Sequence, residues 1–134
     1  MKGTLLFITI FIFYSFSPNI TENSLNRSKW IQAGKSFVNV KLDNVSIYPS
    51  RQDSEFTAMR LVFEGESIDA HHFMIHFEDG KSKRYLLKRK CGNGFKSRIV
   101  DFEGGVRAVK KVDLWYRPNP LENGESIVIL WGKE

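Results

Sequence analysis

Three histidines lie close together in the sequence, and their type and spacing raise the question of metal chemistry. They are His71, His72 and His76. On a helix, residues four apart share one face, so His72 and His76 would converge on a zinc ion. The neighbouring residues alternate between apolar and polar, which predicts a strand, where four residues span about 13 Å. Two imidazoles that far apart cannot both bind an ion about 2 Å from each. We therefore predict outward-facing strand histidines and no metal site.

Cys91 is the only cysteine and the one candidate for a thiol nucleophile. Arg89 and Lys90 precede it, and neighbouring cations can lower the pKa of a thiol. A catalytic thiol also needs a histidine within hydrogen-bond reach, which a sequence does not place. The sequence has no Gly-x-Ser-x-Gly elbow for a serine nucleophile. We predict that Cys91 is inert or partly buried.

Carboxylates offer a third chemistry, because glycosidases use two of them about 5 to 10 Å apart. Asp101, Glu103 and Asp113 fall on predicted strands or turns of one segment, and Glu64 and Glu66 flank a glycine. Nothing in their spacing separates any pair from ordinary surface acids. We therefore predict no catalytic residue and no cofactor, and expect a binding or structural protein that is not an enzyme. The alternative is a carbohydrate-binding or small carbohydrate-active jelly roll.

Basic residues concentrate in the middle and the C-terminal half of a chain whose net charge is +5. A cationic surface can hold a polyanion, such as an acidic glycan or a lipid headgroup, through salt-sensitive contacts. The alternative is structural, because lysines on solvent-facing strands protect sheet edges from aggregation. The candidate anion-binding residues are Lys88, Arg89, Lys96, Arg98, Arg107, Lys110 and Lys111.

Aromatic side chains give another binding hypothesis, a flat platform for sugar rings. The candidates are Trp30, Trp115, Tyr116 and Trp131. Trp131 lies in an apolar strand, which favours a place in the core. Adjacent strand residues face opposite sides, so at most one of Trp115 and Tyr116 is exposed. We take Trp115 as the candidate sugar-stacking residue, with core packing as the alternative.

The beginning of the chain differs from the rest. A lysine followed by the apolar run 5–16 is typical of a secretory signal and is short for a membrane span of roughly 20 residues. We predict a signal peptide at 1–17, a polar linker at 18–28 and a single domain at 29–134. The protein is then periplasmic or extracellular, or membrane-anchored if 5–17 stays uncleaved. Nucleic acid is not expected as a partner of an exported chain.

Apolar residues of the domain recur with period two, and no segment of helical length carries a 3.6-residue stripe. Asp79-Gly80 is typical of a tight hairpin. About eight short antiparallel strands indicate an all-β fold, a two-sheet sandwich or jelly roll, with a barrel as the alternative. The predicted strands are 30–33, 37–48, 56–64, 70–78, 82–90, 97–102, 106–117 and 125–132.

Gly104-Gly105 divides the segment FKSRIVDFEGGVRAVKKVDLWYRPN and allows the positive φ of a tight turn. The segment therefore predicts a hairpin between SRIVDF and VRAVKKVDLWYR. Its apolar residues change phase near Lys110-Lys111, which predicts a β-bulge. Arg98, Asp101 and Arg107 are then expected to pair across the hairpin.

The same segment carries a family-like pattern, Ser-Arg-x-x-Asp-x-x-Gly-Gly-x-Arg, followed by an aromatic strand end. The pattern is held by Ser97-Arg98, Asp101, Gly104-Gly105, Arg107 and Trp115-Tyr116. In these motifs the chain resembles a family of small exported bacterial proteins catalogued as a domain of unknown function. Phe102 stands where that family would be expected to have leucine. The resemblance implies export and a β-sandwich, and it brings no established activity, cofactor or catalytic residue.

Overall fold

The computed structural model describes residues 29–51 and 54–134, which form two antiparallel sheets packed face to face. Sheet A has the strand order β1-β9-β4-β7; sheet B has the order β2-β8-β5-β6, with β3 also paired to β8. The prediction of an all-β sandwich of about eight strands is confirmed. The strands are β1 (Trp30–Val38), β2 (Asn44–Ile47), β3 (Glu55–Phe56), β4 (Ala58–Gly65), β5 (Ile68–Phe77), β6 (Ser82–Cys91), β7 (Val100–Asp101), β8 (Arg107–Tyr116) and β9 (Ser126–Lys133).

The predicted signal peptide at 1–17 and linker at 18–28 lie outside the described residues. Within the described part of the chain, no helix is long and apolar enough to cross a membrane.

The core lies between the sheets and follows from the period-two alternation of their strands. Because successive strand residues point to opposite faces, every second residue of β4 and β5 is buried against the other sheet. The polar residues between them face outward. The largest fully buried side chains include Phe56, Phe73, Ile47, Met59, Leu61, Ile75, Leu114 and Leu130.

The hairpin predicted at Asp79-Gly80 joins β5 to β6, and the prediction is confirmed. Gly80 has φ 91°, and its N–H donates to the Phe77 carbonyl at 3.0 Å. The Asp79 carboxylate accepts the N–H of Lys81 at 2.9 Å. This side-chain bond to the backbone two residues on is how aspartate favours turns.

The strand predicted at 37–48 is wrong, because β1 ends at Val38 and the chain turns before β2. The Asn39 side chain accepts the N–H of Lys41 at 3.0 Å. The Asn39 carbonyl accepts the N–H of Leu42, also at 3.0 Å. This asparagine-centred turn carries the chain from sheet A to sheet B.

The hairpin predicted at Gly104-Gly105 is also wrong. Both glycines have positive φ, 82° and 87°, but the turn connects the two sheets, because β7 pairs with β4 and β8 lies in sheet B. Only Val100–Asp101 of the predicted strand 97–102 is strand. Arg107 binds Asp79 at 3.2 Å, so the expected pairing of Arg98, Asp101 and Arg107 does not form.

The β-bulge predicted near Lys110-Lys111 is confirmed. Lys111 is opposite His76, whereas Val109 is opposite Phe77, so Lys110 is the additional residue of β8. The bulge lets Val109 and Val112 both point into the core.

A second bulge decides which side chains of β1 face outward. Gln32 and Gly34 are opposite neighbouring residues of β9, so Ala33 is the additional residue. As a result Trp30 and Phe37 face the same side, although they are an odd number of positions, seven, apart. A side chain at Gly34 would collide with the backbone of the segment after β2, which explains the glycine there.

Candidate functional site

The outer face of sheet B carries the histidines and the predicted sugar-stacking residue Trp115. His72 and His76 face outward, as the alternation predicted. The His72 ring stacks on Trp115, with centroids 4.5 Å apart and planes 9° from parallel. The Nδ1 atoms of His71 and His72 are 2.7 Å apart, in contact across a β5 bulge. One face of the Trp115 indole is therefore already covered by the protein.

Asp113 is the centre of a polar network on the same face. Its carboxylate accepts the Ser46 hydroxyl at 2.6 Å and contacts His76 Nε2 at 2.9 Å and Lys111 Nζ at 3.4 Å. A hydrolytic triad needs the histidine between the hydroxyl and the carboxylate, so that it can remove the hydroxyl proton. Here the carboxylate lies between them. The arrangement orders the sheet surface and does not activate Ser46.

His72 makes the stability of the fold sensitive to acid. Desolvation, followed by the nearby His71 and Arg84, lowers the pKa of His72 below its usual 6.5. The unfolded chain then binds a proton more readily, so the free energy of unfolding falls as pH drops below about 6.5. This loss levels off once pH is below the lowered pKa, where both states are protonated.

We expect His72→Gln to lose less stability than the wild type between pH 7.5 and pH 5. Urea denaturation gives the free energy of unfolding of each protein at pH 7.5 and at pH 5. The change between the two pH values is then compared between the proteins, so the contact with Trp115 that the variant lacks at both pH values cancels. Equal losses in the two proteins would contradict this prediction.

Cys91 is fully buried at the end of β6, in agreement with the inert thiol expected. Burial raises its pKa to about 11, although Arg89 acts in the opposite direction. Only the thiolate is a nucleophile, so at neutral pH nearly all of Cys91 is in the unreactive form. The cations before it in sequence do not activate it.

The acids considered for catalysis are dispersed. Asp101 and Glu103 line a small cleft of about 120 Å³, below the roughly 300 Å³ at which ligand pockets begin. Glu103 also pairs with Lys83 at 3.5 Å. Asp113 belongs to the network on sheet B, while Glu64 faces outward from sheet A.

Metal-ligating side chains do not cluster within residues 29–51 and 54–134. No three His, Cys, Asp or Glu residues of that part are close enough to hold an ion. The absence of a metal site stays a prediction.

The seven candidate anion-binding residues do not share one surface. Lys88 and Lys111 lie on the outer face of sheet B, and Lys110 is exposed at the β8 bulge. Lys96 faces outward on sheet A, beside Val62.

The other three candidates are arginines that lie over aromatic rings. Arg89 is 4.4 Å from the Phe95 ring centroid and Arg98 is 5.3 Å from that of Tyr85. Arg107 is 3.5 Å from the centroid of the Phe77 ring. These cation–π contacts shield rings at the margin of the core, which is a structural use of the charge.

The outer face of sheet A holds a groove of about 370 Å³ that we call the tryptophan groove. Trp131, expected in the core, instead lies partly exposed on this face, so that expectation is wrong. Trp30 joins it from the neighbouring strand, one diagonal step away in the register. The groove is lined by Trp30, Gln32, Arg60, Val62, Glu64, Lys96, Ile129 and Trp131.

The tryptophan groove combines apolar and polar side chains in a regular arrangement. Val62 and Ile129 are cross-strand partners and form an apolar strip between the polar side chains. Arg60 and Gln32 both lie opposite Trp131, one on each side of it. Planar polar groups thus border an aromatic surface, an arrangement typical of sites for small polar ligands.

Phe37 extends the same face beyond the tryptophan groove. It is opposite Ile127 in the register and 65% exposed. Ile127 and Trp131 are four residues apart on β9, which corresponds to about 13 Å. Aromatic side chains therefore occupy both ends of the outer face of sheet A.

The sequence was also compared with protein families and with curated proteins. The sequence profile of the Domain of unknown function (DUF2541) matches residues 5–132. No curated protein matches the sequence.

Two solved structures resemble the fold. A mutant of the family 29 carbohydrate-binding module CBM29-2, complexed with cellulohexaose, matches at TM-score 0.43 and 11% identity, over 81% of this chain and 92% of that one. AlgX of Pseudomonas aeruginosa matches at TM-score 0.42 and 11% identity, over 94% of this chain and 33% of that one.

Proposed function

The chain belongs to the DUF2541 family, and we propose that it is an exported, non-enzymatic protein that binds carbohydrate in the tryptophan groove. The observation that carries this proposal is the placement of Trp30 and Trp131 on one solvent-facing side of sheet A. Export is proposed from the apolar run that follows the N-terminal lysine.

The chemistry of the groove suits a sugar ring. One side of a pyranose presents C–H groups, which pack on an indole, while its hydroxyls project from the edge. An aromatic floor with polar side chains at the border satisfies both requirements. Gln32 and Glu64 supply amide and carboxylate groups for those hydroxyls.

The face is long enough for an oligosaccharide. Phe37 lies beyond the volume of the groove, at the far end of the same face. A chain of sugar rings that begins on Trp131 can therefore reach a second aromatic contact. A single sugar cannot span this distance.

The outer face of sheet B supports sugar binding less well. Trp115 also borders a groove, of about 610 Å³, but His72 stacks on its ring. A sugar would have to displace His72 or use the opposite side of the indole.

A second candidate is anion binding at a smaller site than the predicted Lys/Arg face, because the seven cations do not share one surface. Arg89 and Arg98 favour it, because neither has a carboxylate within 4.0 Å in the described part of the chain. They would meet an anionic glycan or lipid headgroup at the margin of the sandwich.

Matched tryptophan substitutions on the two faces test the proposal. The wild-type protein is first screened against immobilised oligosaccharides, and bound compounds are titrated calorimetrically. We expect Trp131→Ala to weaken binding about tenfold, the loss of about 1.4 kcal/mol of stacking and burial, and Trp115→Ala to leave it within about twofold. Binding that depends on Trp115 would move the site to sheet B. No binding to any oligosaccharide would refute the proposed function.

A further inference from the structure

Arg60 is held so that one end of its guanidinium remains available to a ligand. Its Nε and Nη2 donate to the Ser97 carbonyl at 3.2 and 2.9 Å. A guanidinium has five N–H groups, so three stay free, on Nη1 and the outer side of Nη2. Within the described residues no carboxylate lies within 4.0 Å of Arg60, although the side chain lines the tryptophan groove.

Ser97, which accepts the hydrogen bonds of Arg60, is itself fixed in position. Ser97 is buried, its hydroxyl accepts the N–H of Leu61 at 2.8 Å, and the same hydroxyl donates to the Arg98 carbonyl at 3.1 Å. The Ser97 carbonyl therefore has a defined position, and Arg60 has already lost much of its rotational freedom. A side chain ordered in advance adds less entropic cost when a ligand binds.

Cations outnumber acids on this face. Lys96 lines the groove, and the register places Lys35 beside Ile129 and Lys133 beside Trp30. Together with Arg60 they are four cations. The acids on this face are Glu64 and Asp101. Glu64 lines the groove, four residues along β4 from Arg60 and thus about 13 Å away. Asp101 lies outside the groove, opposite Ala58 in the register.

From this geometry we propose that the ligand of the tryptophan groove is an acidic oligosaccharide, with a uronate carboxylate on the free end of Arg60. The inference rests on the proposed carbohydrate binding. A guanidinium end with two parallel N–H donors matches the two oxygens of a carboxylate. The ring of the same uronate lies against Trp131, which is opposite Arg60 in the register. Lys96 attracts the carboxylates of the neighbouring uronate rings in the oligosaccharide.

Comparing uronate oligosaccharides with their methyl esters distinguishes recognition of the carboxylate from carbohydrate binding in general. Esterification removes the charge and keeps the sugar. The probes are hexamers of galacturonate, mannuronate and guluronate, each with its methyl ester, together with cellohexaose. At about 50 mM NaCl we expect at least one acid to bind at least tenfold more tightly than its ester. At about 500 mM NaCl the difference should shrink to threefold or less, because salt screens exposed charges.

Charge substitutions in the groove give effects of opposite sign. We expect Lys96→Gln to weaken uronate binding about threefold, and Glu64→Gln to strengthen it about threefold by removing a repulsive charge. Arg60→Gln should weaken uronate binding at least tenfold and ester binding less than threefold. Lys90→Gln, on the opposite sheet, is the matched control and should change neither.

The outcomes are distinguishable. If esters or cellohexaose bind as tightly as the acids, and Glu64→Gln does not strengthen uronate binding, the inference is wrong while carbohydrate binding stands. If neither acids nor neutral sugars bind, the proposed function fails as well. A thermal melt of each variant identifies any that has lost its fold, and Lys96→Gln and Glu64→Gln alter exposed side chains only.

Discussion

The double variant Trp30→Ala, Trp131→Ala is expected to bind an oligosaccharide ligand of the tryptophan groove about 100-fold more weakly than the wild type. Each stacked ring contributes about 1.4 kcal/mol through buried apolar area, and each such amount is a factor of ten in affinity. The two residues are diagonal neighbours on adjacent strands, with Cα atoms about 7–8 Å apart. One ligand can therefore contact both, and the two losses should add.

Calorimetric titration of the wild type, the two single variants and the double variant forms a double-mutant cycle. Both indoles are on the outer face, so all four proteins should keep the same core and similar melting temperatures. If the double variant binds no more weakly than Trp131→Ala, Trp30 does not contact the ligand. The site is then shorter than proposed.

The core could be predicted from the sequence because alternation is a direct consequence of strand geometry. In β5, Phe73, Ile75 and Phe77 are buried and His72 and His76 face outward, as period two requires. This pattern needs no knowledge of which strands are neighbours.

The connections between the strands could not be predicted from alternation. Gly104-Gly105 correctly indicates a turn with positive φ. A turn signal does not specify whether the chain returns beside the strand it left or crosses to the other sheet. Here β7 has only two residues in its ladder with β4, too few to recognise from alternation.

Two physical reasons hide the tryptophan groove from sequence reasoning. Both faces of β9 are apolar, so the period does not distinguish the core side of the strand from the outer side, on which Trp131 lies. The bulge at Ala33 also hides the common orientation of Trp30 and Phe37. The unusual number of apolar residues on both faces of β9 was the available signal, because an outer sheet face without a covering layer normally alternates with polar residues.

The substitution with the largest expected effect on stability is Phe56→Ala. Phe56 is 1% exposed and belongs to the two-residue strand β3, which pairs with β8 of sheet B. Its ring packs against Gly132 of sheet A, so it links the two sheets at one end of the sandwich. Removing a buried phenylalanine side chain costs about 3–5 kcal/mol, because apolar contacts are lost and a cavity remains. Urea denaturation measures the difference.

Gly132→Ala tests whether the Phe56 ring packs directly against Gly132. A Cβ at Gly132 would lie 2.6 Å from Cε1 and 2.9 Å from Cγ of the Phe56 ring. Because the ring is buried and cannot move freely, we expect the single variant to lose about 1–3 kcal/mol. In the double variant with Phe56→Ala the methyl group enters the vacated space, so its stability should be close to that of Phe56→Ala alone. Costs that add to within about 0.5 kcal/mol would show that the two residues are not in contact.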